Sequence, residues 1–439
     1  MFDSDRPAAV LRYYLYRASS HPGFHWPIYV LFLLRNGLTF TEIGAIASIQ
    51  SLVVIAGEVP AGFVGDRIGR RNSLVIASTL FLLSNLAYLV ATDFVGFTVV
   101  FVSLSLGSTF VSGSASAWLY DTLTEHDLDE EFTHVTGRAG AVSSWAQTVA
   151  MLSGGVLYVV NPYYPFYAAV ALSFVNLASV LSLPKNAQYA GRDSDEVTGD
   201  DENNTPDTGD DEDDTADGTD EPLTIVEAIP VIREQLSKPS MRSFVVYMAL
   251  FGGALVTADI YIQPIAREAL RESIGATLAA WNVPEAATLG VLYASFTVVS
   301  AIVSDYAGNV EDRFGARNVL LFVPLAIAAL YLLPPLVPLF AFPMFFVMKG
   351  GLALVFPISS RYMNDRIDSA GRATVLSVVA MLRAVAGVPF RVGSGVVADY
   401  VTPLVAVAAL GALFIAGTVA LFVVASPMRA ATEGNAPAD

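Results

Sequence analysis

Six basic side chains stand inside stretches of sequence that are otherwise apolar: Arg17, His21 and His25, then Lys349, Arg383 and Arg391. The first three recur every four residues, which would put them on one helical face unless Pro22 twists it. The acids at similar depth are two, Glu58 and Asp259, with Asp121 and Asp305 nearer the ends of their stretches. A charge in an apolar span is costly unless it faces a cavity or a partner. Two arrangements meet that condition. An excess of bases gives a cavity of positive potential, suited to an anionic solute such as a carboxylate or phosphate ester. Alternatively, the charges pair internally, Glu58 with Arg383 and Asp259 with Lys349. A group that exchanges protons near neutrality would serve ion coupling, and His21 and His25 have that chemistry. Glu58, two residues before Pro60, has a plainer use as an acceptor for backbone donors freed by a kink.

Other chemistries find little footing. No Walker-type phosphate loop is present, so the chain has no sign of its own ATP-driven step. No HExxH pattern or cysteine cluster suggests a metal, and with no cysteine at all, disulfide and thiol chemistry are excluded. No cofactor is expected and no catalytic set is recognisable. Nucleic acid is not an expected partner either, because the longest charged tract is acidic.

The elements that must carry these groups are membrane helices. The chain has 439 residues, 54% of them hydrophobic and 15% charged, well short of the roughly one quarter charged residues of a soluble protein. Apolar runs long enough to span a bilayer fall at 9–34, 41–64, 72–91, 96–120, 138–160 and 163–183 (helices 1–6). Six more follow at 242–266, 286–308, 318–334, 337–360, 372–396 and 402–426 (helices 7–12). No alternating barrel pattern appears, and backbone groups in lipid must pair within their own segment, so the runs read as helices. The start of the chain lacks the basic region and cleavage site of a signal peptide, so helix 1 reads as a retained span.

The net charge of −17 comes mostly from one tract. Residues 186–222 hold 15 acids and a single base, Arg192, and without them the balance is −3. Such a tract cannot bury apolar surface and is expected to be a disordered, solvated linker. With only 3 lysines among 24 basic residues, the composition resembles that of proteins from salt-loving microbes. The following segment, 223–241, looks amphipathic and is expected at the membrane interface. The division expected is therefore 1–185, an N-terminal six-helix bundle; 186–222, the linker; 223–241, the interfacial segment; and 242–439, a second six-helix bundle with a short tail. Arginines in short loops place Arg67, Arg70, Arg71, Arg138, Arg313, Arg317, Arg361, Arg366 and Arg372 on one side, which is then cytoplasmic along with both termini and the linker.

One pattern occurs twice. Gly62-Phe63-Val64-Gly65-Asp66-Arg67-Ile68-Gly69-Arg70-Arg71 follows helix 2, and Gly308-Asn309-Val310-Glu311-Asp312-Arg313-Phe314-Gly315-Ala316-Arg317 follows helix 8. Both fit GxxxDRxG(R/A)R. Glycines let the helix end approach a neighbour, the aspartate can face a helix N-terminus or bridge arginines, and the arginines anchor the loop. Duplicated loops between duplicated halves suit a machine whose halves rock about a central site.

On these residues the chain resembles the major facilitator superfamily over about its whole length. The resemblance implies an all-α polytopic membrane protein with twelve transmembrane helices in two six-helix bundles. It also implies that helices 1, 4, 7 and 10 line a central cavity, holding Arg17, His21, Asp259 and Lys349. It makes the loop aspartates gate latches that dock on a helix of the other half: Asp66 near Gly371–Thr374 and Asp312 near Gly137–Gly140. Drug/proton antiporters of the family carry an arginine inside helix 4 and a Gly-Pro-x-x-Gly-Gly motif in helix 5. Here helix 4 has no such arginine, and Ala150 and Met151 precede Gly154 and Gly155.

The expected function is secondary active transport of a small solute, an anion in the positive-cavity arrangement, across the cytoplasmic membrane, driven by a solute gradient or by a proton or sodium ion, with a monomer as the working unit. The substrate and ion candidates are Arg17, His21, Glu58, Asp259, Lys349 and Arg383. Multidrug or metabolite efflux stays open, as does a non-transporting receptor or assembly factor of the same architecture.

Overall fold

A computed structural model describes residues 8–20, 23–185, 239–280, 284–367 and 372–424. The acidic tract and the amphipathic segment 223–238 lie outside the described residues, as does His21. The protein is a multi-pass membrane protein of twelve helical spans in two six-helix bundles, and no strand occurs among the described residues. Each apolar run read from the sequence corresponds to one span. Eight helices are long and apolar enough to cross a bilayer on composition alone, or nine if the bent pair Ala307–Phe314 and Ala316–Tyr331 counts as one. Helices 1, 3 and 5 are the remainder. Helix 1 comes in two pieces, and Arg70–Ala87 and Phe132–Val160 are rich in serine, threonine and glycine.

Three spans depart from a single smooth rod. Helix 1 ends at Ser19 and restarts as Tyr29–Arg35, with turns from Gly23 to Ile28 between them. Pro22, Gly23 and Pro27 in the gap explain the break, since proline gives no donor and cannot continue the preceding turn. The four-residue repeat therefore does not make a shared face: Arg17 sits in the first piece and His25 in the turns beyond it. Helix 4 breaks at Gly113, whose φ of 77° needs glycine, between Phe94–Val111 and Ser114–Thr124. Helix 7 runs Pro239–Leu250, a π-turn at Phe251–Leu255, a tight 3-10 stretch at Val256–Tyr261, and Ile262–Ala280. Asp259 lies in that irregular stretch.

The repeated pattern is less a loop than a helix end. Helix 2 spans Phe40–Ile68, so Asp66 and Arg67 form its last turn, and Gly69 at φ 90° turns the chain into helix 3. In the second copy Glu285–Asp305 is followed by Ala307–Phe314, and Gly315 at φ 78° turns the chain into Ala316–Tyr331. The glycine of both repeats is thus fixed by backbone conformation.

Across the two bundles, helix 2 packs along helix 11 (Arg372–Tyr400) and helix 5 along helix 8. Both crossings are tight at the face opposite the repeated loops. A Cβ on Gly395 would lie 2.6 Å from the Phe40 carbonyl oxygen, and one on Gly290 would lie 2.6 Å from that of Met151. Gly44 meets the backbone of Arg391, and Gly155 that of Ala286 and Ala287, just as closely. Toward the loop face the same helices part: Gly62, Gly137, Gly140 and Gly308 each have open space where a side chain would be.

Candidate functional site

The break in helix 1 meets the first turn of Ile262–Ala280, just beyond the irregular stretch of helix 7. Gln263, fully buried, spans the two. Its Nε2 donates to the Trp26 carbonyl at 2.8 Å and its Oε1 accepts from Val30 N–H at 2.8 Å. One side chain so satisfies backbone groups that the break in helix 1 leaves unpaired, as burial in lipid requires. The Tyr293 hydroxyl of helix 8 joins the same amide at 3.3 Å. Trp26 stacks on Tyr29 at 5.3 Å, and Tyr29 and Tyr293 lie within electrostatic reach of Asp259.

Asp259 forms an ion pair with Lys349 of helix 10 (Ala341–Asn364), each side chain keeping a quarter or so of its surface, 28% and 21%. Of the two arrangements the sequence allows, this pair follows the internal one. Glu58 and Arg383 do not. Glu58 is exposed and makes no ion pair among the described residues. Arg383 turns into its own bundle, over the Phe356 ring at 5.4 Å and against Gly252 in the π-turn, with a buried Nε that has no hydrogen-bond partner. The physical reason is the parting of helices 2 and 11: they touch at the far face, while Glu58 lies toward the loop face. Arg17, half-buried in the first piece of helix 1, meets no carboxylate among the described residues.

The loop residues divide by role. Arg70 pairs with Asp121 at the end of helix 4 at 3.2 Å, and Arg71 donates to the Leu181 carbonyl at the end of helix 6 at 2.6 Å. In the second copy the polarity is exchanged: Glu311 of the repeat pairs with Arg361 at the end of helix 10 at 3.4 Å. Gly65 packs on Ser73, where an added Cβ would lie 2.9 Å from Oγ, whereas Gly62 and Gly308 face open space and serve no close packing here. Asp66, Arg67, Asp312, Arg313 and Arg317 are exposed. Asp66 and Asp312 make no hydrogen bond or ion pair among the described residues. Gly137 and Gly140, the docking positions for Asp312, are unoccupied in this conformation, and those for Asp66 lie outside the residues whose side chains are described.

A latch of the same design stands instead at the far face, on a residue that sequence reasoning passed over. The Asp399 carboxylate accepts from Phe40 N–H at 2.7 Å, Thr41 N–H at 2.9 Å and the Thr41 hydroxyl at 2.6 Å. Thr39 and Glu42 complete a capping box at the same helix end. The first-turn donors of helix 2 are therefore satisfied partly by the other bundle, and the carboxylate sits at the positive end of the helix dipole. Arg391 adds a second tie to helix 2, donating to Ser51 Oγ at 2.7 Å and the Ala47 carbonyl at 3.4 Å. The signal available in sequence was an aspartate closing helix 11 and a Thr-x-x-Glu opening helix 2; nothing short of the packing joins them.

Known proteins place this architecture. Residues 22–390 match the family model described as Major Facilitator Superfamily. A curated relative, the uncharacterized MFS-type transporter YxaM of Bacillus subtilis (strain 168), is 23% identical over 166 residues, covering 37% of this chain and 40% of that protein. Among solved structures, the nucleoside transporter NupG aligns with a TM-score of 0.72 at 12% identity, over 95% of this chain and 99% of that one. A bacterial homologue of the human lysosomal transporter Spinster, in an inward-facing and unoccupied conformation, aligns at 0.64 with 13% identity over 95% and 94%. A D-xylose–proton symporter aligns at 0.58 with 13% identity over 93% and 94%. At these identities the structures speak for the fold alone, and the family model, matching most of the chain, makes it a member of the Major Facilitator Superfamily.

Proposed function

We propose that the protein is a secondary transporter, not an enzyme, which moves a small solute across the cytoplasmic membrane by alternating access, as a monomer with both termini and the repeated loops in the cytoplasm. One observation carries this reading. The crossings of helices 2 with 11 and 5 with 8 are closed at the far face and open at the loop face, which is what an inward-open transporter requires. In that state the Asp66 and Asp312 latches are disengaged and the Asp399 latch is engaged. Closure at the loop face would bring the loop aspartates to helices 11 and 5 and release Asp399 from helix 2.

Asp259 and Lys349 are the candidate coupling pair. Protonation of the carboxylate would free the ammonium for an anionic group on the solute, so one pair could link an ion to a cargo. The anionic-solute reading is favoured by Arg383, whose guanidinium has no carboxylate partner among the described residues. The test is flux in liposomes reconstituted with the full chain. Asp66→Asn is expected to cut flux severely while leaving solute binding near wild type; normal flux in that variant removes the latch mechanism. Absence of solute-dependent flux for any tested gradient would instead favour a receptor or assembly role.

A further inference from the structure

We propose that helices 1, 3, 4 and 5 build, to one side of the central space, a binding pocket for a small uncharged solute with a flat ring that both donates and accepts hydrogen bonds; this rests on the transport reading above but assigns an uncharged solute where that reading favours an anion, and the probes below decide between the two. The pocket has a volume of about 280 Å³. Its back wall is His25 from the break in helix 1 and Ser84, Asn85 and Tyr88 from helix 3, and its rim is Trp26 and Gln147. No aspartate, glutamate, lysine or arginine lines it. That sets it apart from the Asp259–Lys349 pair and from Arg383, which belong to the other bundle.

Unspent polar groups converge here. His25 is 9% exposed, and its Nδ1 is buried with no hydrogen-bond partner. The Tyr88 hydroxyl, the Trp26 indole N–H and the Gln147 amide make no hydrogen bond among the described residues. Nδ1 has essentially no accessible surface and is closed off from the pocket, so the groups left for an occupant to complete are the Tyr88 hydroxyl, the Trp26 N–H and the Gln147 amide. The rings show what shape fits. His25 stacks on Phe166 at 5.5 Å with the planes 13° apart and leans on Tyr88 at 5.2 Å, while Trp26 offers an exposed indole at the mouth. Flat aromatic walls with a few placed polar groups suit a planar ligand. The volume sits near the lower end of small-molecule sites, roughly 300 Å³, which admits a single substituted ring and little more.

Of the other polar residues on this pocket, Ser84 and Asn85 are already engaged, Ser84 donating to the Val100 carbonyl at 2.9 Å and Asn85 to Ser173 Oγ at 3.0 Å, whereas Gln147 is not. The absence of charged side chains from the lining selects a neutral occupant over an anion.

Uracil and orotate make a matched pair of probes, the same ring without and with a carboxylate. Full-length protein is titrated with each, followed by thermal unfolding and by tryptophan fluorescence, since a ligand that binds the native state raises its apparent stability. Uracil is expected to raise the unfolding temperature and to bind, and orotate to do neither. Tyr88→Phe keeps the ring and removes the hydroxyl; Gln147→Leu removes the amide at the rim. Each should weaken uracil binding about tenfold, the factor that roughly 1.4 kcal/mol represents, with little change in unliganded stability. Should one variant fail to fold, the other still decides. Equal or tighter binding of orotate, uracil binding indifferent to both substitutions, or no response to either probe would overturn the proposal; in the last case water completes the polar set. Uracil binding without flux would refute the transport reading and leave the pocket standing. Solute flux indifferent to both substitutions would do the reverse.

Discussion

Aligned from their first residues, helices 5 and 11 each run 29 residues and put Gly155 where the other has Gly395. Aligned on the repeated pattern, helices 2 and 8 put Gly44 where the other has Gly290. The glycines meet equivalent backbone: Gly395 against Phe40 and Thr41, Gly155 against Ala286 and Ala287, Gly44 against Arg391, Gly290 against Met151. The two crossings of the far face are thus one design used twice. What differs is the fastening. Asp399 and Arg391 tie helix 11 to helix 2, and at the matching places helix 5 has Val159 and Met151, which offer helix 8 no charge. Close packing of backbones closes both sides, and among the described residues charged side chains fasten the helix 2–helix 11 side alone. The duplicated part of the gate is therefore steric and the unique part electrostatic.

The steric half should be the harder to lose. Gly395→Leu and Gly155→Leu each place a side chain into opposing backbone, which cannot yield as a flexible side chain can, so both are expected to abolish flux and to hold the far face open. Because the chain has no cysteine, single cysteines introduced near residues 40 and 286 report this directly as faster thiol labelling. If one glycine tolerates leucine and the other does not, the crossings are not equivalent. Asp399→Asn should have a smaller effect and act on one side alone: it removes the charge that caps helix 2, and labelling near residue 40 is expected to rise about tenfold, in line with the strength of charge-assisted bonds, with no rise near residue 286. Arg391→Met converts the tied crossing toward its partner's chemistry. Labelling near residue 40 should rise only about threefold, since Arg391 makes one short bond and one at 3.4 Å where Asp399 accepts three short ones. An effect larger than that of Asp399→Asn would reverse the ranking of the two ties.

Much of the architecture was legible because the bilayer is a severe reader of sequence. Each apolar run became a span, since length and hydropathy leave few alternatives in lipid. Breaks within spans were less legible. Pro22 announced trouble in helix 1, but the π-turn at Phe251–Leu255 carries no proline, and Gly252 and Gly253 alone do not specify one. Among site residues, Asp259 with Lys349 could be posed as a pair because both are charged and deep, whereas Glu58 and Arg383 looked like the same case. The difference between the pairs is the conformational state, which hydropathy does not encode. Gln263 and Asp399 were missed for a common reason. Each acts on the backbone of a helix far away in sequence, and a residue whose partner is a main-chain group leaves no complementary residue to search for.

The cap on helix 2 also bears on how the chain is assembled. Asp399 lies 358 residues after Thr41, whose N–H it accepts. During synthesis the N-terminal bundle enters the membrane long before helix 11 exists, so its second helix must insert with the first turn capped only by its own Thr39 and Glu42. Arrival of helix 11 then completes that turn. The bond that helps hold the far face shut in the finished molecule is, in the nascent one, a late step, made only after helices 7 and 8 have become available to helices 1 and 5.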